Sequence, residues 1–148
     1  RSTQAKTLFP YTTLFRSSTT SSANVAMGFL VNQPTAVNSA QQLGLVTSGG
    51  GLTWLLDSRY GTPGVASGVG IRIYNSKGGI VNLLPNRGST GGGNLRGWYA
   101  FKDLTSLASS GMTNSYRGDF TASLEAISGQ TITAGTVNAQ LQVVVSFQ

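Results

Sequence analysis

The chain has 148 residues, and 39% apolar against 9% charged side chains place it in the range of one globular domain. Ten lysines and arginines oppose four acids, a formal charge of +6. There is no histidine and no cysteine, which excludes imidazole acid–base work, thiol nucleophiles, disulfides and the usual zinc sites.

Glycine (20), serine (18) and threonine (17) dominate the rest, a chemistry of turns and strands. The positive charge does not point to nucleic acid, because Arg59, Arg72, Arg87, Arg96 and Arg117 are scattered singly and no basic run of five exists. No stretch approaches the roughly 20 apolar residues that span a bilayer. The chain opens on Arg1, with no basic-then-apolar leader after it, and reads as a mature, engineered or partial chain.

Residues 1–17 differ in composition from the remainder of the chain, with three cations, no glycine and the repeats TLFP and TLFR. The string LFPYTTLFRS resembles translated sequencing-adapter read-through. The stretch is therefore given no functional role, and residues 18–148 are taken as the domain. A strand pair is the competing reading, because Leu8, Phe9, Tyr11, Leu14 and Phe15 have good β propensity.

From there strands alternate with glycine-rich turns. Val25, Met27, Phe29 and Val31 form one apolar face, which predicts a half-buried strand ending before Gln33 and Pro34. Residues 48–51 and 61–64 are turns, and 52–57 suits a brief strand between them. Val69, Ile71 and Ile73, a turn over 75–79 and the apolar run 80–84 have the pattern of a hairpin. The tract 87–94 (RGSTGGGN) reads as a mobile loop, 98–104 as a strand buried on both faces, and 106–115 as a polar loop. Phe120, Ala122, Leu124 and Ala126 then share a parity, with Asp119, Thr121, Ser123 and Glu125 toward water. A final hairpin comes next, its last strand covering 137–147. No segment holds a 3.6-residue period, so the expected architecture is a helix-free antiparallel β-sandwich.

That last strand poses a physical problem. Val137, Ala139, Leu141, Val143, Val145 and Phe147 lie on one parity with no proline or charge among them. A long apolar strand at a sheet edge offers unpaired amides to any other chain. Either an internal neighbour covers it, as in an ordinary completed core, or another polypeptide does.

Three segments, GVGIRIYNSKGG (68–79), DFTASLEA (119–126) and GQTITAGTVNAQLQVVVSFQ (129–148), resemble the C-terminal half of a chaperone–usher fimbrial subunit. The most specific match is the "AG-x-V-x-A" lead into the final strand, here Ala134, Gly135, Val137 and Ala139, with Phe147 where a penultimate tyrosine is usual. The resemblance implies an all-β, incomplete immunoglobulin-like antiparallel β-sandwich, truncated at its N-terminal strands, whose missing strand comes from another chain. It further implies that Val137, Ala139, Leu141, Val143 and Val145 line the acceptor groove, and that Phe147 and Gln148 anchor a periplasmic chaperone. The implied partners are that chaperone, an outer-membrane usher and neighbouring fimbrial subunits, in a surface fimbria that can bring the protein to host glycans. The two cysteines and the alternating donor segment usual in such subunits are not in this chain.

Other chemistry finds little support. GSTGGG (88–93) has no lysine at phosphate-loop spacing. Asp119 and Glu125, six residues apart on one strand, would lie about 20 Å apart, beyond a glycosidase pair. Trp54, Tyr60, Trp98, Tyr99 and Tyr116 are candidates for sugar stacking or for core. The first option would make the chain the pilin domain of a two-domain, carbohydrate-binding tip adhesin. No enzyme activity, cofactor, metal or nucleic-acid partner is expected.

Overall fold

The computed structural model describes residues 6–15, 25–88, 90–110 and 114–147, with 6–15 and 114 described by their backbone. Two antiparallel sheets face each other. In the first, β6 (Asn114–Ala126) is central: β1 (Lys6–Phe15) runs along one side, while β3 (Val69–Tyr74) and β5 (Ser106–Ser109) share the other. In the second, β2 (Val25–Leu30) lies between β4 (Tyr99–Ala100) and β7 (Gln142–Phe147). Val25, Met27 and Phe29 of β2 meet Ile73 and Phe120 of the first sheet in one core, and the rings of Phe29 and Phe120 pack edge to face at 4.9 Å. The class is all-β and immunoglobulin-like, as the sequence led us to expect.

The backbone of residues 6–15, given no role on sequence grounds, pairs with β6 from Lys6 opposite Ser123 to Phe15 opposite Asn114. The hairpin predicted after β3 is present, with Asn75 N donating to Gly79 O (2.8 Å) and Val81 N to Ile73 O (2.8 Å).

The expectation of no helix is wrong. α1 (Pro34–Gln42) succeeds β2 directly, with proline in its first turn, where the missing N–H has no intrahelical partner to lose. Its buried residues Ala36, Val37 and Ala40 make a stripe too short to reveal a helical period over a longer window. Residues 98–104 are not one strand: β4 is two residues long and gives way to α3 (Phe101–Leu104), which turns Phe101 and Leu104 onto one buried face. The glycine-rich tract is wound into a 3-10 turn (Thr90–Gly92) and α2 (Gly93–Arg96). The supposed loop 106–115 contains β5, with residues 111–113 outside the described ones.

Two burial expectations also change. β2 is buried on both faces, because Leu30 joins Leu84, Trp98 and Val144 in a second apolar cluster on the outer side of its sheet. A Cβ on Gly28 would lie 2.4 Å from Leu84 Cδ1 and 2.7 Å from Gly97 O, so only glycine lets that cluster close. On β6, Ser123 is only 3% exposed and does not face water as its parity led us to expect.

The final hairpin does not form. β6 and β7 belong to different sheets, and residues 127–141 cross between them. That crossing consumes the first half of the predicted strand: Thr133 bridges Ser67, Thr136 bridges Val65, and only 142–147 remain as strand.

Candidate functional site

The uncovered flank of β7 is set by how β2 divides its hydrogen bonds. Phe29 O accepts from Leu84 N at 2.7 Å, so the Phe29 backbone points away from β7. Residues of an antiparallel strand alternate sides, so Leu30, Gly28 and Ala26 turn toward β7 and bond their register partners Gln142, Val144 and Ser146. The N–H and C=O groups of Val143 and Val145 therefore point to the opposite side. Among the described residues no strand pairs there.

The side chains keep to the predicted parity. Ala139, Leu141, Val143 and Val145 are half-buried and pack against the main core, while Val144 turns outward into the second cluster. Val137 is half-buried but does not belong to the set packed on that core. Phe147, opposite Val25 in register, is 63% exposed. Gln148 lies outside the described residues.

Two features that the sequence did not advertise hold the approach to β7. Asp57 is 2% exposed, and its carboxylate accepts Arg59 N through Oδ1 and Asn138 N through Oδ2, both at 2.7 Å. The second bond takes an amide that a longer β7 would have used in a ladder. Thr136 N donates to Gly64 O and its carbonyl accepts Ala66 N. This brings Gly135 so close that a Cβ there would lie 2.4 Å from Ala66 N. The "AG-x-V" lead thus marks a close backbone crossing between the sheets. A lone aspartate ending the apolar run 52–56 was the sequence signal for the first feature, legible only in retrospect.

The remaining candidates are occupied by packing. Trp54, Trp98 and Tyr99 are buried, Tyr60 Oη accepts Gly68 N at 2.9 Å, and Tyr116 meets Phe101 edge to face at 5.6 Å. These five do not form an exposed sugar-stacking platform. Tyr74 Oη donates to Glu125 Oε2 at 2.5 Å. That bond, with burial and the carboxylate charge behind it, raises the Tyr74 pKa above its usual value, against an opposing effect of Arg72. Burial raises Tyr99 too, partly offset by Asn82 N donating to its hydroxyl. Among the described residues no three potential metal ligands gather in one place, and no helix is long and apolar enough to cross a membrane.

A family model described as "Fimbrial protein" matches residues 10–148 of the chain. No curated protein matches it.

Proposed function

The chain belongs to the fimbrial protein family, a structural family whose members build a surface fimbria with other subunits, and from that premise we propose that it polymerises by donor-strand complementation on the uncovered side of β7. An extended segment from another polypeptide would bond Val143 and Val145 through their outward backbone groups and cover Val137, Ala139, Leu141, Val143 and Val145 from the side. Strand addition of this kind between chaperone and pilin is an established recognition mode, applied here to a particular edge. A periplasmic chaperone supplies the strand first, with Phe147 and Gln148 at its anchoring point. The next subunit's segment then replaces it at an outer-membrane usher. Within this reading the pilin domain is 18–148 and 1–17 derive from adapter sequence, against a family match that begins at residue 10 and a backbone at 6–15 that pairs with β6; sequencing the source DNA across that junction decides between them.

The observation that carries the proposal is the pairing of β7 on one side while the side chains facing the core remain only half-buried. Complete burial of a valine or leucine contributes roughly 1.5–3 kcal/mol, so half-buried ones leave about half of that to be gained on capture. The test is co-expression with a chaperone–usher periplasmic chaperone. Val143→Asp is expected to abolish co-purification, because it places a charge where the captured strand must dry the surface. Gln142→Asp, on the exposed outer face, should co-purify as the parent does. Equal recovery of both variants would remove β7 as the acceptor.

A further inference from the structure

We propose that Asp57 is a positioning residue for partner binding: its buried carboxylate stands in for a neighbouring strand and holds residues 137–141 extended, so that the acceptor edge runs on past β7 to Val137. This rests on the strand-addition reading above and adds the reach of the incoming segment and the group that sets it.

β7 begins at Gln142, yet the chain is already extended before it. Thr136, Asn138, Gln140 and Gln142 are exposed, while Val137, Ala139, Leu141 and Val143 between them are half-buried. Alternation with a period of two belongs to extended backbone, in which successive residues aim their N–H and C=O groups to opposite sides.

The even-numbered residues are held. Gln142, Val144 and Ser146 pair with β2, and Thr136 exchanges hydrogen bonds with Gly64 and Ala66. Between these two anchorages β2 has run out, since its last residue, Leu30, lies opposite Gln142. Asp57 fills the gap: its Oδ2 accepts Asn138 N at 2.7 Å. The carboxylate is itself fixed, because Oδ1 accepts Arg59 N at 2.7 Å and the residue is 2% exposed.

The odd-numbered residues are not held. Among the described residues nothing bonds the backbone of Val137, Ala139 or Leu141, just as no strand pairs on the open side of Val143 and Val145. These five residues offer one continuous edge about 30 Å long, at roughly 3.3 Å per residue. The partner it takes is an extended segment that hydrogen-bonds along this whole length and not along β7 alone.

The test uses the full chain and an eleven-residue peptide that alternates valine with threonine, in which one backbone amide at a time is replaced by an ester. The exchange deletes one N–H and leaves every side chain in place. Binding is read by calorimetry, and each N–H that bonds the edge should cost about threefold to tenfold in affinity when it is lost. In the parent chain five alternate positions should be sensitive. Asp57→Asn keeps an oxygen for Arg59 N but offers Asn138 an NH₂ group in place of an acceptor, and only the two positions beside Val143 and Val145 should stay sensitive. Asp57→Ser is the second variant, its hydroxyl still able to close the turn at Arg59 but too short for Asn138, and it should give the same pattern. A merely structural role would weaken every peptide alike and leave five sensitive positions, which in either variant overturns the proposal. A parent chain with only two sensitive positions overturns it as well, since the edge then ends with β7 while strand addition stands. If no peptide binds the parent chain, the strand-addition reading falls and this inference with it.

Discussion

β6 and β7 both turn alternate apolar residues toward the core, with Val144 of β7 apolar on the outer face as well, yet the fold flanks them differently. β6 has strands on both sides and buries even Ser123, at 3% exposure. β7 has β2 on one side, and its core-facing Val143 and Val145, with Ala139 and Leu141 on the approach to it, stay half-buried; β6 leaves Ala122, Leu124 and Ala126 half-buried too but seals Phe120 at 2% exposure. Alternation thus tells which face of a strand turns inward and says nothing about who covers its flanks. A strand of the central kind contributes to the stability of the isolated chain. One of the edge kind holds part of its contribution in reserve for a partner.

The comparison breaks most sharply under paired truncations. Phe120, 2% exposed and set against the Phe29 ring, should cost about 3–5 kcal/mol as Phe120→Ala in urea unfolding of the isolated chain. Val143→Ala should cost about 1 kcal/mol or less there, because the side chain is only half-buried. With a strand bound at β7, the Val143→Ala penalty should rise while that of Phe120→Ala stays put. A Val143→Ala penalty matching that of Phe120→Ala in the free chain would mean that β7 is already covered.

This asymmetry was half visible in the sequence. The parity of 139, 141, 143 and 145 could be read directly, because a period of two needs nothing beyond neighbouring residues. The length of β7 could not: residues 133 and 136 bridge the other sheet's approach at Ser67 and Val65, and the Asn138 amide is taken by Asp57, 81 positions away. The split of β6 and β7 between two sheets was equally hidden, since a glycine turn between two alternating runs has the same pattern whether the runs pair or cross. α1 escaped because three small or medium buried residues in nine leave a weak stripe, and β5 because all four of its residues are exposed.

The clasp that shortens β7 gives the next largest effect. Asp57→Ala strips the acceptor from two backbone amides in a buried place, and should destabilise by about 2–4 kcal/mol. Hydrogen exchange separates this from a general loss of stability: the Asn138 amide should lose protection well before the amides of β6. Uniform loss across both strands would mean that the carboxylate has no local hold on the approach to β7.

Gly135 tests the same approach by crowding it. Its missing Cβ leaves room for Ala66 N at a distance no side chain tolerates, so Gly135→Ala should cost about 1–3 kcal/mol through forced backbone movement. If β7 is the acceptor, the variant should also bind a donor peptide less well, since the displaced crossing leads straight into residues 137–141. Unchanged stability and unchanged peptide affinity would show that the crossing relaxes freely and does not position the edge.

The smallest effect belongs to the covered sheet. Tyr74 on β3 donates to Glu125 on β6, and Tyr74→Phe should cost about 0.5–1 kcal/mol at neutral pH, the scale of a single partly exposed hydrogen bond. The bond favours the neutral hydroxyl and raises the Tyr74 pKa, with burial and the Glu125 charge acting in the same direction. A group whose pKa is higher folded than unfolded contributes fully below its unfolded value, about 10 for tyrosine. It loses that contribution as pH rises through the folded value. Tyr99, raised by burial, acts in the same window. Urea midpoints from pH 8 to 11 should therefore fall less steeply for Tyr74→Phe than for the parent, with Tyr99→Phe removing a separate share. Because the pair ties β3 to β6 and touches no part of β7, the substitution should leave donor-peptide affinity unchanged at every pH where the chain is folded. A change in that affinity would show that the covered and uncovered flanks are coupled through the core.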